Sequence, residues 1–261
     1  MRALVGTIFT VGIALGLAAC GRSEHPPERK TQPVIYGDPT FEGDASDHKY
    51  GGEAIPTYYY KPLIDLAKDR CSGTSRIAMI DKTGKVLVTL CPSDYANCLM
   101  QGSCWVKSTG NTKSYTYHSK VDNRHRFFES DMNKCPTGYG AGGRCLKPFY
   151  SVAADPKLYS MGSVIYLPKV KGAKLPDGSF HSGYFVVLDT GGNIKGPGRF
   201  DFYTGPYNRM SKGNVFIDLG LSDKKKRFSF YNVYGKTAEA VRRNANNIKP
   251  KLDFWSTYRL M

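Results

Sequence analysis

The sequence lacks the spacings of cysteine and histidine that hold a metal ion in a protein. No Cys-x-x-Cys pair occurs, and none of the five histidines stands at ligand spacing to a cysteine. Structural zinc sites are built from such closely spaced ligands. We therefore expect no metal site and no cofactor. The sequence also contains no internal repeat, so the chain is not expected to be an array of small units.

Long apolar runs are also scarce. The run at residues 3–19 follows a single arginine and is short for a membrane-spanning helix. Small residues precede Cys20, which is typical of a signal peptide over residues 1–19. The segment LAAC at 17–20 resembles the lipobox of bacterial lipoproteins, in which the cysteine is lipidated. An ordinary secretory signal with a chance cysteine is the alternative.

These features predict an exported lipoprotein anchored to a membrane through Cys20. Gly21 follows the cysteine, where an aspartate would favour inner-membrane retention. If the source is Gram-negative, we expect the outer membrane, with the protein facing the periplasm. We expect a monomer.

Acidic residues are few relative to basic ones. Lysine and arginine total 37, aspartate and glutamate total 22, and the net charge is +15. An exported lipoprotein is not expected to meet nucleic acid, so a basic surface would face anionic envelope polymers or phospholipid headgroups. Lysine-rich solubility is the alternative.

Six cysteines remain after Cys20, and an even number in an exported chain indicates disulfides. The sequence cannot rank the possible pairings. Local pairs such as Cys91–Cys98 and Cys135–Cys145 are compatible with it.

The composition divides the chain into four parts. After the signal, residues 20–57 are rich in Pro, Gly and charged residues, which predicts a flexible tether. Residues 58–147 form an N-terminal part that contains the disulfides and contributes to the main domain. Within it, KPLIDLAKDRC has helical spacing, and SRIAMIDKTGKVLVTLC resembles a hairpin. Residues 148–261 hold the core, at 148–205, and a C-terminal extension.

From Pro148 onward, short strands with glycine- or proline-bearing turns are predicted in the segments FYSVAAD, GSVIYLP, GYFVVLD and RFDFYTG. Short strands without intervening helices favour a small β-barrel over a parallel α/β sheet. In the extension, KTAEAVRRNANNI is predicted to be a helix, with Ala238, Val241, Ala245 and Ile248 on one face, and LDFWSTYRL a closing strand.

Two carboxylates flank a loop of very little side-chain bulk in LDTGGNIKGPGRFD, residues 188–201. Asp189 ends an apolar strand, and Asp201 is predicted to face away from Phe200 and Phe202. Four loop glycines, Gly191, Gly192, Gly196 and Gly198, permit positive φ. From these residues alone, two aspartates that cap turns are as good an interpretation as a catalytic pair.

The segments FYSVAADPKLYSMGSVIYLP, LDTGGNIKG and RFDFYTG resemble the three-aspartate (3D) domain of the membrane-bound lytic transglycosylase A and stationary-phase-survival proteins. The resemblance implies a six-stranded double-psi β-barrel and cleavage of the MurNAc–GlcNAc β-1,4 bond of peptidoglycan to 1,6-anhydro products. It implies Asp201 as the catalytic acid and then base, with Asp189 and Asp155 in support. Gly191 and Gly192 belong to the same motif.

The chain departs from the family pattern in three respects. The interval from Asp189 to Asp201 is one residue longer, and Asn193 stands where alanine is usual. The family's larger members carry a second domain, whose pattern is not found here. An acid at Asp201 must hold its proton near neutral pH, so we expect Lys195 to point toward Asp189 or the sugar rather than toward Asp201.

Aromatic residues near the motifs give sugars apolar faces to lie on. Tyr166, Tyr203 and Tyr207 are the candidate substrate-binding residues, with burial in the core as the alternative for each. Three rival functions stay open: an inverting glycoside hydrolase on the same carboxylates, a peptidoglycan-binding or expansin-like module without catalysis, and a structural lipoprotein whose aspartates stabilise turns.

Overall fold

The computed structural model describes residues 41, 43–68, 71 and 75–247 of the chain. The predicted signal peptide, Cys20, most of the predicted tether, Ile248 and the predicted closing strand LDFWSTYRL lie outside the described residues. Within the described part of the chain, no helix combines the length and the apolar character needed to cross a membrane.

The fold is mainly β. The strands in chain order are β1 (His48–Tyr59), β2 (Leu63–Asp65), β3 (Ile77–Ile80), β4 (Val86–Leu90), β5 (Ser103–Ser108), β6 (Asn111–Val121), β7 (Arg124–Ser130), β8 (Ser151–Ala153), β9 (Val164–Tyr166), β10 (Tyr184–Asp189), β11 (Arg199–Tyr203) and β12 (Phe228–Val233). The helices are α1 (Pro92–Gln101), α2 (Val215–Asp218) and α3 (Gly235–Asn247), with short 3₁₀ turns at Ala45–Asp47, Ala141–Gly143 and Pro168–Val170.

Six strands close into a barrel in the order β1-β11-β8-β10-β9-β12. The β1–β11 and β8–β10 pairs are parallel, and the other pairs are antiparallel. Closure leaves no unpaired strand edge and encloses an aromatic core that includes Phe185, Phe200, Phe202 and Phe230. The predicted six-stranded closed barrel is confirmed.

The four strands predicted after Pro148 correspond to β8, β9, β10 and β11. Residues 184–187 of β10 are all buried, so this strand is covered on both faces until Asp189. In β11, Phe200 and Phe202 are buried while Asp201 is half-buried, which confirms the predicted alternation. The predicted C-terminal helix is α3, and it buries Ala238, Val241 and Ala245.

The predicted tether was wrong from His48 onward, because β1 is a barrel strand. Its first half pairs with β12 and its second half with β11. The first half of this strand, HKYGGE, is not buried and contains glycine and charged residues. Its composition therefore resembles that of a linker, which is why the strand was not predicted. The strand β12 was also not predicted, and it places part of the barrel outside the predicted core at 148–205.

Residues 63–130 form a second six-stranded sheet in the order β2-β5-β6-β7-β3-β4. It has its own core, which includes Ile64, Met79, Leu90, Val106 and Phe127. The prediction that 58–147 contributes to the barrel was therefore wrong beyond the end of β1. The predicted hairpin is β3 and β4. Within the predicted helix KPLIDLAKDRC, residues Leu63–Asp65 instead form a short strand, β2, which pairs in parallel with β5.

Three disulfides join Cys71 to Cys91, Cys98 to Cys104 and Cys135 to Cys145. The predicted local pair Cys135–Cys145 is confirmed. The pair Cys91–Cys98 was wrong, because Cys98 on α1 is buried in the second sheet's core beside Cys104.

Candidate active site

Asp189 and Asp201 lie on either side of one strand, β8. Both are register partners of Ala153: Asp189 in the parallel pair with β10, and Asp201 in the antiparallel pair with β11. Two strand spacings put their Cα atoms roughly 10 Å apart. The fold thus turns two aspartates that flank a loop in sequence into a pair separated by a single strand.

Asp201 keeps one carboxylate oxygen unengaged. Thr57 of β1 donates a short hydrogen bond to Asp201 Oδ1. No hydrogen bond from a described residue to Oδ2 accompanies it. The pKa of Asp201 is raised, because burial outweighs the lowering effects of the Thr57 hydrogen bond, of Arg199 and of Lys224. The free oxygen therefore belongs to a carboxyl group that keeps its proton to a higher pH than an ordinary aspartate does.

Asp189, in contrast, uses both carboxylate oxygens. Its Oδ2 accepts from the Tyr59 hydroxyl at 2.9 Å, and its Oδ1 accepts from the amides of Thr190 at 2.9 Å and Ala141 at 3.0 Å. Burial, with a smaller contribution from the charge of Asp201, raises the pKa of Asp189 to about 6, against the lowering effect of these donors. This side chain is held in place rather than free to rotate.

Thr57 and Tyr59 are the site residues that the sequence prediction missed. Both come from β1, where Thr57 is the register partner of Asp201 and Tyr59 that of Tyr203. Burial and the nearby Asp189 raise the pKa of Tyr59 well above its ordinary value, so its hydroxyl remains a donor. The alternation in EAIPTYYY, with Ala54 and Pro56 buried, could have placed both residues on one strand face.

Asp155 fixes the loop that leads to Asp201. Its Oδ2 accepts from the Gly196 amide at 3.0 Å and its Oδ1 from the Lys157 amide at 3.1 Å. These backbone hydrogen bonds lower the pKa of Asp155, and the charge of Lys195 contributes in the same direction. Lys195 is exposed, and its charge contributes to the lowered pKa of Asp155 and not to the pKa of Asp201. The expectation that Lys195 points toward Asp189 or the sugar stays a prediction.

The glycines of the loop differ in role. Gly196 and Gly198 have positive φ, and a Cβ at Gly198 would lie 2.2 Å from the carbonyl oxygen of Glu53. Gly191 and Gly192 do not have positive φ, so two of the four glycines use the conformational freedom that all four permit. A Cβ at Gly191 would meet the side chain of Ile194, whereas Gly192 faces open space.

The three predicted sugar-binding tyrosines do not gather at the aspartates. Tyr203 is 1% exposed and donates its hydroxyl to the Thr137 carbonyl, and Tyr207 is buried against Phe149. These two are core residues, which corrects their assignment, since burial leaves no ring face for a sugar. Tyr166 is half-buried and pairs in register with Tyr184, at the opposite end of β10 from Asp189.

The loop after β7 reaches the aspartates from the second sheet. Its Ala141 amide binds Asp189, and a Cβ on the neighbouring Gly140 would lie 2.2 Å from the Leu188 carbonyl oxygen. The Cys135–Cys145 disulfide closes this loop. The described residues contain no cluster of His, Cys, Asp and Glu that could hold a metal ion.

The family model described as the 3D domain matches residues 150–218, which include all three aspartates. The match extends the 148–205 predicted from the sequence through α2. A comparison with curated proteins finds no match.

Several solved structures are similar to the chain. Escherichia coli MltA with bound chitohexaose has 15% identity, 70% of this chain and 71% of that chain covered, and a TM-score of 0.47. A membrane-bound lytic murein transglycosylase from Agrobacterium tumefaciens has 16% identity, coverages of 74% and 76%, and a TM-score of 0.45. The lytic transglycosylase LtgG of Burkholderia pseudomallei has 15% identity, coverages of 70% and 72%, and a TM-score of 0.40.

Proposed function

We propose that the chain is a peptidoglycan lytic transglycosylase in which Asp201 is the catalytic acid and then the base. The single observation that carries the proposal is the asymmetry of the aspartate pair across β8. Asp201 has a raised pKa and an unengaged oxygen, while Asp189 has both oxygens occupied. One carboxyl group is thus available for proton transfer and the other is held as a fixed neighbour.

The reaction needs a carboxyl group that gives and then takes a proton. Protonated Asp201 Oδ2 donates to the glycosidic oxygen that leaves C1 of the muramic residue, and the C1–O bond breaks. The C6 hydroxyl of the same residue then attacks C1 and closes the 1,6-anhydro ring. Ionised Asp201 accepts the hydroxyl proton, which restores the starting state without water.

Asp189 assists by its charge. With a pKa of about 6, it is ionised in most molecules at pH 7. Repulsion between two negative charges is mutual, so an ionised Asp189 favours the proton on its partner across β8. The same negative charge stabilises the positive charge that develops at C1 as the bond breaks. Tyr59 keeps Asp189 oriented for this role.

The loop from the second sheet supports an enzyme site built from both halves of the described chain. Ala141 contributes a backbone donor to Asp189 from a disulfide-closed loop. We propose that peptidoglycan strands are the partner and that the chain acts as a monomer. We also propose that residues 1–19 are removed and that lipidation of Cys20 anchors the chain to a membrane, which in a Gram-negative cell is the outer membrane.

The test is mass spectrometry of the products that the protein, produced without residues 1–19 and with Cys20 replaced, releases from purified sacculi. We expect anhydromuropeptides, reduced about 100- to 10,000-fold in Asp201→Asn. Reducing-end products lost in the same variant would instead identify a hydrolase. Absence of any product from the parent protein, with binding retained, would overturn the enzymatic proposal.

A further inference from the structure

Four tyrosines stand at one level across four neighbouring barrel strands. Tyr50 on β1 is the register partner of Tyr231 on β12, which pairs with Tyr166 on β9, which pairs with Tyr184 on β10. Register partners project from the same face of a sheet. The rings therefore form a continuous row, with successive centroids 5.8, 6.3 and 4.7 Å apart. We call these four residues the tyrosine row.

The exposure of the four side chains increases along the row. Tyr184 is fully buried, Tyr166 and Tyr231 are half-buried, and Tyr50 is 59% exposed. His48 braces it: a 2.9 Å hydrogen bond joins His48 Nε2 to the Tyr184 hydroxyl, and the His48 ring lies 5.4 Å from that of Tyr166. Aromatic rings that are fixed before a ligand arrives lose little freedom when it binds.

The two middle tyrosines of the row border a cavity. Tyr166, Tyr231, His48, Pro168 and Lys171 are among the residues that line its volume of about 420 Å³. This volume lies within the range of roughly 300–1,000 Å³ that is usual for small-molecule sites. A pyranose ring has an apolar face and a rim of hydroxyls, which matches ring faces beside polar groups.

The tyrosine row is distinct from the aspartate pair. Tyr184 begins β10 and Asp189 ends it, five residues later. At the rise of a β-strand, this interval is roughly 17 Å. A sugar on the row is therefore not the sugar that is cleaved at Asp201.

We propose that the tyrosine row is a second saccharide-binding site, which holds a part of the glycan strand remote from the bond that is cleaved. The inference rests on the proposed function for its ligand, since a polymer can occupy both places. It assigns to Tyr166 a contact with sugar, at a site other than the aspartates. It also gives the exposed Tyr50 and the half-buried Tyr231 a role in retention of the polymer.

The experiment measures binding to purified sacculi and to chitohexaose in an Asp201→Asn background, so that turnover does not enter. We expect Tyr50→Ala with Tyr231→Ala to weaken binding roughly tenfold. Tyr50→Ala alone should weaken it about threefold, and Tyr50→Phe, which keeps the ring, should restore it. Tyr234→Ala is the matched control, because Tyr234 is 56% exposed and lies outside the row.

Unchanged binding in the Tyr50→Ala protein and in the double variant would overturn the proposal, as would absence of binding by the Asp201→Asn parent. Tyr50 is exposed, so its single variant keeps the barrel core intact, and circular dichroism verifies the fold. The two proposals fail differently. Failure of the row appears as unchanged binding, and failure of the enzymatic function appears as a parent protein that binds sacculi and releases no product.

Discussion

The amide of Ala141 donates to Asp189 Oδ1 at 3.0 Å, which connects the loop after the second sheet to an aspartate of the barrel. Asp189 is thus held by donors from three places: Tyr59 on β1, its neighbour Thr190, and this loop. The carboxylate is oriented by parts of the chain that are distant in sequence.

The raised pKa of Asp189 makes the stability of the protein depend on pH. The pKa is 3.8 in the unfolded chain and about 6 in the native state. Between these values, the native state keeps a proton that the unfolded state has released, so the free energy of unfolding falls as pH rises. The contribution is complete below pH 4 and is lost by pH 7, with a ceiling of about 3 kcal/mol.

We expect Asp189→Asn to remove this dependence. Urea unfolding of the parent and the variant at pH 4, 5, 6 and 7 measures it, and the variant should gain stability relative to the parent as pH rises. A difference between the two proteins that is constant over this range would contradict the raised pKa. The dependence that remains in the variant should combine a fall with pH from Asp201, whose pKa is raised, with a rise from His181, whose pKa burial lowers to about 3.

Thr57→Val should change the pH dependence of turnover rather than abolish it. The Thr57 hydrogen bond lowers the pKa of Asp201, so its loss raises that pKa further. The alkaline limb of kcat/KM, which follows loss of the proton from the acid, should then move to higher pH. The measurement is the pH profile of product release from sacculi. Thr57→Ser keeps the donor and should retain the parent profile; a limb that stays in place in Thr57→Val would refute the role.

Gly140→Ala should displace the loop that binds Asp189. The new Cβ would lie 2.2 Å from the Leu188 carbonyl oxygen, which is backbone and cannot rotate away. We expect a loss of about 1–3 kcal/mol in the free energy of unfolding, with reduced turnover. Gly192→Ala is the control, because a Cβ there meets open space. Equal effects of the two substitutions in urea unfolding would count against the close approach.

Removal of the Cys135–Cys145 disulfide should lower stability by about 3 kcal/mol, the value for a loop of this length. It should also free the loop that carries Ala141, and thereby raise the pKa of Asp189 further, because that amide lowers it. The control is the Cys98→Ala, Cys104→Ala protein, whose disulfide lies in the core of the second sheet. The measurement is the pKa of Asp189, determined by NMR titration in both proteins. An equal change of this pKa in the two proteins would contradict the proposed link between the Cys135–Cys145 disulfide and Asp189.

The sequence predicted the parts of the fold whose apolar runs are continuous. The strands β8, β9 and β10 are mostly buried apolar runs, and β11 alternates buried phenylalanines with polar residues, so the composition of all four strands is distinctive. The first strand was missed because its exposed half is glycine-rich and charged, like a linker. In the second sheet the hairpin of β3 and β4 was predicted, whereas a strand such as β6 was missed because it is largely exposed and carries many polar residues.

The same limit applied to the site. Asp155, Asp189 and Asp201 stand in recognisable local motifs. Thr57 and Tyr59 lie 144 and 130 residues before the aspartates that they bind, and only the closure of the barrel brings them there. The position of Tyr203 beside a motif also did not reveal that its side chain is buried. Its hydroxyl donates to the Thr137 carbonyl oxygen, which belongs to a loop distant in sequence.

The chain leaves the barrel after β1 and returns to it at β8, so the second sheet is inserted between the first two barrel strands in sequence. The two neighbours of β1 are β11 and β12, the last two strands of the described chain, with partners such as Ile55 and Arg199, or His48 and Val233. Contacts so distant in sequence form slowly. A chain that is synthesised from its N-terminus therefore cannot close this barrel until β11 and β12 have also been made, because both of them pair with β1. The aspartate site, which needs Thr57 and Tyr59 of β1 together with the ends of β10 and β11, is therefore assembled only late in this process.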